Sequence, residues 1–204
     1  GRAKCLLEGQ GQSLLDRLVR SVRTLGLRNP VLVLGHHAAE IQAHLAQWPE
    51  HFKPRQVVNP APEDDPASSL HLGLRTLDGD VHAVMVLLAD QPLINAADIG
   101  AVLDAFQRRP PGAQVLLPMV QGVPGHPVVF DAVVRADLLA GTGTGLRQWC
   151  AAHPQATLPR LVDNPHHTRD LDTPEDVEAL ERETGWVCRW PEPAPGINTD
   201  PASA

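Results

Sequence analysis

The stretch from Val81 to Asn95 constrains the fold of this chain more than any other. It contains an almost unbroken apolar run, Ala83 to Ala89, which ends abruptly at Asp90. A run of this length predicts a strand buried on both faces, as strands of parallel sheets are. Asp90 would then follow the carboxyl end of the strand, at the edge where open α/β sheets bind ligands. A carboxylate there costs free energy unless it is paired or holds a metal ion, so Asp90 is a candidate functional residue.

Helical and strand-like periodicities alternate along the rest of the chain. Helices are predicted over 13–27, 38–48, 68–77, 96–108, 131–139, 145–152 and 173–184. Further strands are predicted over 31–34, 56–58, 114–118, 128–130 and 157–162, the last an edge strand because it contains a proline. The alternation predicts an α/β fold with a mainly parallel sheet, helices on both faces and a small antiparallel insertion in the second half. The proline-rich segment 185–204 is expected to be an irregular tail.

Composition and charge exclude several classes of protein. The chain has 204 residues, 43% of them hydrophobic, as is ordinary for a soluble globular protein. Its formal net charge of −7 argues against broad nucleic-acid binding, which needs a basic surface. No apolar run approaches the roughly 18–20 residues of a membrane span. Cys5, Cys150 and Cys188 fit neither a metal motif nor a disulfide framework, so a cytoplasmic location is expected.

The first residues carry a candidate phosphate-binding group. The chain opens Gly1-Arg2-Ala3-Lys4, without a methionine, and no strand precedes Lys4, so we expect the natural protein to begin earlier. A lysine beside glycine near a helix start suits phosphate binding, because backbone N–H groups and an ammonium group meet the anion together. The alternative is a surface lysine near a chain terminus.

Carboxylates at two places in the sequence could share a metal ion. Asp90 fits a Mg²⁺ ligand, because Mg²⁺ is usually held by one or two carboxylates together with substrate phosphates and water. Asp170 and Asp172 alternate around Leu171, so in an extended segment both would point to one face and could share a cation with Asp90. The alternatives are a turn or helix-capping role for Asp90 and capping of the helix that starts at Pro174 for the later pair.

Three further segments present polar groups to a ligand. They are Gln91-Pro92 after the strand, the turn Gly125-His126-Pro127, and Asn59, Ser68 and Ser69 around a loop. The alternatives are that the serines cap the helix at 68, which each would do more often when taken singly, and that His126 is structural or solvated, as a lone histidine more often is than catalytic. The pairs His36-His37 and His166-His167 look like metal ligands, but adjacent residues of a strand face opposite ways, so no transition-metal site is expected.

Taken in order, the motifs of this chain resemble the molybdenum cofactor nucleotidyltransferases, and most closely the cytidylyltransferase branch. They read G-R-A-K-C-L-L, V-L-V-L-G-H, V-V-N-P, S-S-L-H-L-G-L, V-L-L-A-D-Q-P, G-H-P-V-V-F and D-L-D-T-P-E-D-V. The resemblance covers residues 1–184 and implies one Rossmann-like domain of the nucleotide-diphospho-sugar-transferase type. It implies transfer of CMP from CTP, or of a nucleotidyl group from another NTP, to the phosphate of molybdopterin, with Mg²⁺ and release of pyrophosphate. It further implies a molybdoenzyme of the xanthine dehydrogenase type as a partner.

The resemblance also implies a role for each candidate residue. Lys4 and Asp90 would be catalytic, and Asp90 and Asp172 would hold the metal. Substrate binding would fall to Gly1, Lys4, Asn59, Ser68, Ser69, Gln91, Pro92, Gly125, His126 and Asp170.

Two departures from the family pattern matter. The leading L-A-A-G-x-G-x-R signature is absent apart from Gly1, so a first strand and most of a Gly-rich loop are expected before residue 1. This exact chain is therefore expected to be inactive. The stretch from Gly141 to Arg147 lacks the acidic residue of the family's G-D-x-G-x-R motif. Three alternatives remain: nucleotidyl transfer with another base or phosphorylated acceptor, such as guanylyl transfer; a non-catalytic maturation partner; and a glycosyltransferase of related fold.

Overall fold

A computed structural model describes residues 2–27, 29–62, 67–79, 81–141 and 144–191 of the chain. The α-helices are α1 (Leu14–Thr24), α2 (Ala38–Ala46), α3 (Ser68–Thr76), α4 (Ala96–Gln107), α5 (Ala132–Ala140), α6 (Leu146–Ala152) and α7 (Pro174–Thr184). The strands are β1 (Glu8–Gly9), β2 (Gln12–Ser13), β3 (Val31–Leu34), β4 (Arg55–Val58), β5 (Ala83–Val86), β6 (Val115–Val120), β7 (Val123–Pro124), β8 (Val128–Asp131), β9 (Thr157–Leu161) and β10 (Cys188–Arg189). Every predicted helix and strand is present, with small differences at the ends. No helix in these ranges is both long and apolar enough to cross a membrane.

The sheets of the described ranges combine parallel and antiparallel strand pairs, and the small sheet of β10, β1 and β2 is antiparallel throughout. β3 pairs with β4 in parallel, and β6 pairs with β9 in parallel. β8 runs antiparallel to both β5 and β6, so β5, β6 and β9 share one direction. The short β7 forms a hairpin with β6. The predicted α/β fold is confirmed, and its sheets are mixed, because antiparallel pairs join the parallel ones.

Side-chain caps fix where several helices begin, among them α1 and α4. Ser13 accepts the backbone N–H of Asp16 at the start of α1, and the Asp16 carboxylate accepts the Ser13 N–H in return. Asn95 and Asp98 form the same reciprocal capping box at the start of α4. Such caps satisfy backbone N–H groups that the first turn of a helix leaves without partners.

Apolar clusters tie the ends of the chain to the body of the domain. Phe130 on β8 is fully buried in the main cluster, beneath α3 and α5. In a separate cluster Leu7 packs with Leu14, Leu171 and Leu180. This second cluster matters for function, because it holds the segment that carries Lys4 against the segment that carries Asp170 and Asp172.

The structure corrects the expectation that the strand after Val81 is buried on both faces over its whole length. Strand β5 ends at Val86, and within it Val84 is buried whereas Ala83 is exposed. The physical reason is that β5 pairs with β8 along one edge, while no strand of the described ranges pairs with its other edge. Apolar composition alone does not show whether a strand is paired along one edge or both. It also does not show at which residue the pairing ends.

Part of the segment expected to be an irregular tail is ordered. Cys188–Arg189 forms β10, which pairs antiparallel with Glu8–Gly9. Trp186 lies directly against Gly9, where a Cβ atom would be 2.5 Å from the Trp186 ring. Residues 192–204, the rest of the predicted tail, lie outside the described residues.

We expect Phe130→Ala to lower the free energy of unfolding by about 3–5 kcal/mol, since the substitution removes a fully buried aromatic ring and leaves a cavity. Val133→Ala on α5 is the matched control, because Val133 is 53% exposed and its loss should change stability by less than about 0.5 kcal/mol. Urea unfolding of both variants measures the difference. Equal stabilities of the two variants would contradict this description of the core.

Candidate active site

Three segments that are distant in sequence meet beyond the end of β5. The Lys4 Nζ lies 2.7 Å from Asp172 Oδ1. The Gln91 Nε2 donates to Asp170 Oδ1 at 2.8 Å. The backbone N–H of Leu171 donates to the carbonyl oxygen of Asp90 at 3.3 Å. Lys4, the turn after β5 and the segment before α7 therefore form one group of charged and polar side chains.

The burial of Leu171 orients the two aspartates beside it. Leu171 is 3% exposed and packs with Leu7 and Leu14, whereas Asp172 is exposed and Asp170 is half-buried. The carboxylates of Asp170 and Asp172 both face away from the apolar cluster, one toward Gln91 and the other toward Lys4. The alternation predicted around Leu171 is present.

Helix capping does not account for the Asp172 carboxylate. The cap of α7 is Thr173, whose hydroxyl accepts the backbone N–H of Asp176, and Pro174 occupies the first turn. The Asp176 carboxylate accepts the backbone N–H groups of Asp172 and Thr173. The Asp172 side chain is left to bond Lys4.

Asp90 likewise does not cap the helix that follows it, because Asn95 and Asp98 cap α4. Burial raises the pKa of Asp90 above its ordinary value, and the negative charges of Asp170 and Asp172 act in the same direction. The backbone N–H of Asp90 and the Lys4 ammonium oppose this shift. The ionised form of the Asp90 carboxylate therefore lowers the stability of the folded protein.

Several negative charges surround Lys4. The pKa of Lys4 is raised, chiefly by its hydrogen bond to Asp172, with smaller contributions from the charges of Asp90 and Asp170 and with burial opposing. One ammonium faces three carboxylates, so the group carries excess negative charge. No group of three or more His, Cys, Asp or Glu side chains arranged to hold a metal occurs in the described ranges. The oxygen donors present nevertheless fit Mg²⁺, which usually takes one or two carboxylates and completes its shell with phosphates and water.

The turn at Gly125-His126-Pro127 docks closely on His167. The backbone N–H of His126 donates to the His167 carbonyl at 2.8 Å, and the His167 Nδ1 lies 2.8 Å from the His126 carbonyl oxygen. A Cβ atom on Gly125 would be 2.5 Å from the His167 carbonyl oxygen, so this approach requires glycine. Burial lowers the pKa of His126, while the charge of Asp170 opposes the shift. The turn therefore lies beside the carboxylate group.

Asn59, Ser68 and Ser69 form a second polar group. The Asn59 Nδ2 donates to Ser68 Oγ at 2.8 Å and to Ser69 Oγ at 3.0 Å. The N-cap of α3 is Ala67, and no side-chain capping bond is made there, so the serines bond Asn59 and not the start of the helix. Within the described part of the chain, no hydrogen bond joins this group to Asp90 or to Asp172.

Pro92 is buried next to Gln91 and has no polar side-chain group. Gly1 lies outside the described residues. In the stretch from Gly141 to Arg147, Thr142 and Gly143 also lie outside them.

The sequence interpretation missed His167 as part of the site. It was considered as half of an adjacent histidine pair for a transition metal, whereas its ring bonds a backbone carbonyl and is 3% exposed. Its partner His126 lies 41 positions earlier, so no local pattern marks the contact.

The fold is of the α/β nucleotidyltransferase type. A crystal structure of Rv0371c from Mycobacterium tuberculosis in complex with manganese superposes with a TM-score of 0.70, at 23% identity over 88% of this chain and 92% of that one. The molybdopterin-guanine dinucleotide biosynthesis protein A of Archaeoglobus fulgidus gives a TM-score of 0.62 at 13% identity, covering 91% of this chain and 92% of that one. At identities this low, the superpositions establish a shared fold and nothing more.

Sequence comparison places the chain in a family. Residues 1–157 match the MobA-like NTP transferase domain, and the chain belongs to that family. The bifunctional protein GlmU of Listeria monocytogenes is 25% identical over 150 residues, which are 72% of this chain and 29% of that protein. The chain therefore spans less than a third of the length of this curated relative.

The raised pKa of Asp90 has a consequence for stability. A carboxyl whose pKa is higher in the folded than in the unfolded chain destabilises the fold once it ionises. In metal-free buffer, Asp90→Asn should therefore raise the free energy of unfolding at neutral pH. The gain should shrink as the pH falls through the Asp90 pKa towards its ordinary value of 3.8 and below.

Urea unfolding with a chelator, at neutral and acid pH, measures this gain against Asp163→Asn, which neutralises an exposed carboxylate. A destabilised Asp90→Asn variant at neutral pH, or a gain that does not change with pH, would show that burial is not the dominant influence on Asp90.

Proposed function

We propose that the protein is a nucleotidyltransferase that transfers CMP from CTP to the phosphate of a molybdopterin-type cofactor and releases pyrophosphate. The observation that carries the proposal is the meeting of the Lys4 ammonium with Asp172 beside Asp90. That group offers a cation to a triphosphate and carboxylates to a divalent metal in one place. Membership of the MobA-like NTP transferase domain family supports the reaction class.

Asp90 and Asp172 would hold Mg²⁺ in this proposal. A bound divalent cation would neutralise charge on the triphosphate and on the departing pyrophosphate. The manganese complex of Rv0371c, a protein of the same fold, supports a divalent ion of this kind. Gln91 would keep the Asp170 carboxylate oriented through its 2.8 Å hydrogen bond.

Lys4 would bind the triphosphate, together with backbone groups around Gly1. Its ammonium already faces carboxylates, and an incoming polyphosphate would give it a second anionic partner. Asn59, Ser68 and Ser69 would contact the nucleotide through the amide and hydroxyl groups that now bond one another. Pro92 would fix the backbone direction after Gln91.

The chemistry needs positioning and charge stabilisation more than proton transfer. An oxygen of the acceptor phosphate attacks the α-phosphorus, a new P–O bond forms, and the bond to the β-phosphate breaks with its electron pair leaving on pyrophosphate. The attacking phosphate is already ionised, so no general base is required. Gly125 and His126 would contact the acceptor, and burial, which lowers the pKa of His126, favours the neutral form of its ring.

The choice of CTP and of a molybdopterin-type acceptor is supported by resemblance alone, since S-S-L and G-H-P are similar to motifs of the cytidylyl branch. In this proposal the product is delivered to a molybdoenzyme of the xanthine dehydrogenase type in the cytoplasm. Three cysteines that form no disulfide are compatible with a reducing compartment.

Asp90→Ala in the full-length natural protein should lower turnover about a thousandfold, since several kcal/mol of charge stabilisation are lost at about tenfold per 1.4 kcal/mol. Pyrophosphate release measures the rate, and circular dichroism checks that the fold is intact. Asp163→Ala, which removes an exposed carboxylate, is the control and should keep the original rate. Near-normal release by the Asp90 variant would refute the role of this carboxylate.

Substrate identity is tested by incubating the full-length protein with Mg²⁺, molybdopterin and each NTP in turn. Release of pyrophosphate with CTP, and not with the other nucleotides, is the expected result. Release with GTP alone would indicate the guanylyl alternative. Tight cofactor binding without release from any NTP would indicate a maturation partner that does not catalyse the reaction.

A further inference from the structure

We propose that His167 is a positioning residue. It holds the turn that carries His126 against the part of the site that carries Asp90 and Asp170. The inference rests on the proposed function only where it predicts a change in KM for the acceptor. The contacts themselves are independent of any substrate.

Reciprocal hydrogen bonds join the two histidines. The His126 N–H donates to the His167 carbonyl, and the His167 ring bonds the His126 carbonyl, both at 2.8 Å. A carbonyl oxygen can only accept, so the His167 Nδ1 must carry the proton. Both backbone polar groups of His126 are therefore bonded by one residue, and this fixes the direction in which the His126 ring leaves the turn.

The same His167 carbonyl also bonds Gln91, which in turn bonds Asp170. It accepts a second hydrogen bond from Gln91 Nε2 at 3.1 Å, and the same Nε2 atom donates to Asp170 Oδ1. His167 is thus the residue through which the His126 turn and the turn after Asp90 are held together. The missing Cβ of Gly125 permits this contact, as the 2.5 Å approach shows.

His167 is itself held firmly. It lies in the 3₁₀ turn Pro165–Thr168, whose start is tied to α4 through Asp98. Asn164 Nδ2 donates to one Asp98 oxygen at 2.7 Å, and His166 Nδ1 lies 2.9 Å from the other. The His167 side chain is buried, so it cannot touch a ligand and must act through His126.

The test compares His167→Leu, which removes the ring donor, with His167→Asn, whose Nδ2 can replace it. Amide hydrogen exchange at His126, followed by NMR, should be faster in the leucine variant and return towards the original rate in the asparagine variant. His153→Leu is the control, because its ring also bonds a backbone carbonyl, that of Trp149, at 2.9 Å. Unchanged exchange at His126 in the leucine variant would overturn the inference, whatever the activity.

Enzyme kinetics of the full-length protein provide a second test of the proposal. His167→Leu should raise KM for the acceptor about tenfold, the effect of one lost hydrogen bond, while KM for CTP stays constant. His167→Asn should restore the acceptor KM. Equal changes in both KM values, or no rescue by asparagine, would show a merely structural histidine.

A second variant covers the case in which His167→Leu does not fold. Gly125→Ala should push the turn away from the His167 carbonyl and give the same split between the KM values, with the His167 ring intact. If no NTP is turned over at all, the proposed function fails, and hydrogen exchange alone decides whether His167 holds the His126 turn.

Discussion

The burial of Leu171 against Leu7 and Leu14 is the contact on which the site depends. It joins the segment after Gly1 to the segment before α7, and these lie at opposite ends of the described chain. Because Leu171 points inward, the carboxylates on either side of it must point outward, towards Lys4 and Gln91. An apolar contact therefore places the charged groups and opposes the repulsion between their carboxylates.

The site combines groups that oppose the stability of the fold with groups that support it. Asp90 lies near two other carboxylates, and both burial and repulsion raise its pKa. Lys4 offsets part of this cost through its contact with Asp172. A divalent cation would offset the excess negative charge of the carboxylates, which is the role that the proposed function gives to it.

The sequence predicted the local features well, because they depend on neighbouring residues. Helices were predicted to begin at Ser13 and Thr173, which are the residues that cap them, and Pro159 lies in an edge strand as expected. The proximity of Asp90 to Asp170 and Asp172 could also be anticipated, since the turn after a strand lies at the ligand-binding edge of the sheet. The assignment of particular roles to these residues stays a prediction.

Features that depend on distant contacts were not predictable. Gln91 meets Asp170 79 positions later, and no periodicity encodes that pair. The pairing of Cys188–Arg189 with Glu8–Gly9 and the contact between His126 and His167 are of the same kind. The partial burial of β5 was missed because an apolar run does not reveal whether both edges of a strand are paired.

The central claim is that Asp90 and Asp172 share one divalent cation although 82 positions separate them in the sequence. Electron paramagnetic resonance of Mn²⁺ with CTP present measures the affinity of the full-length protein and of Asp90→Asn, Asp172→Asn and the double variant. We expect each single substitution to weaken binding about tenfold or more and the double variant to lose less than the sum, because both remove the same site. Independent, additive losses, or full affinity in either single variant, would contradict a shared site.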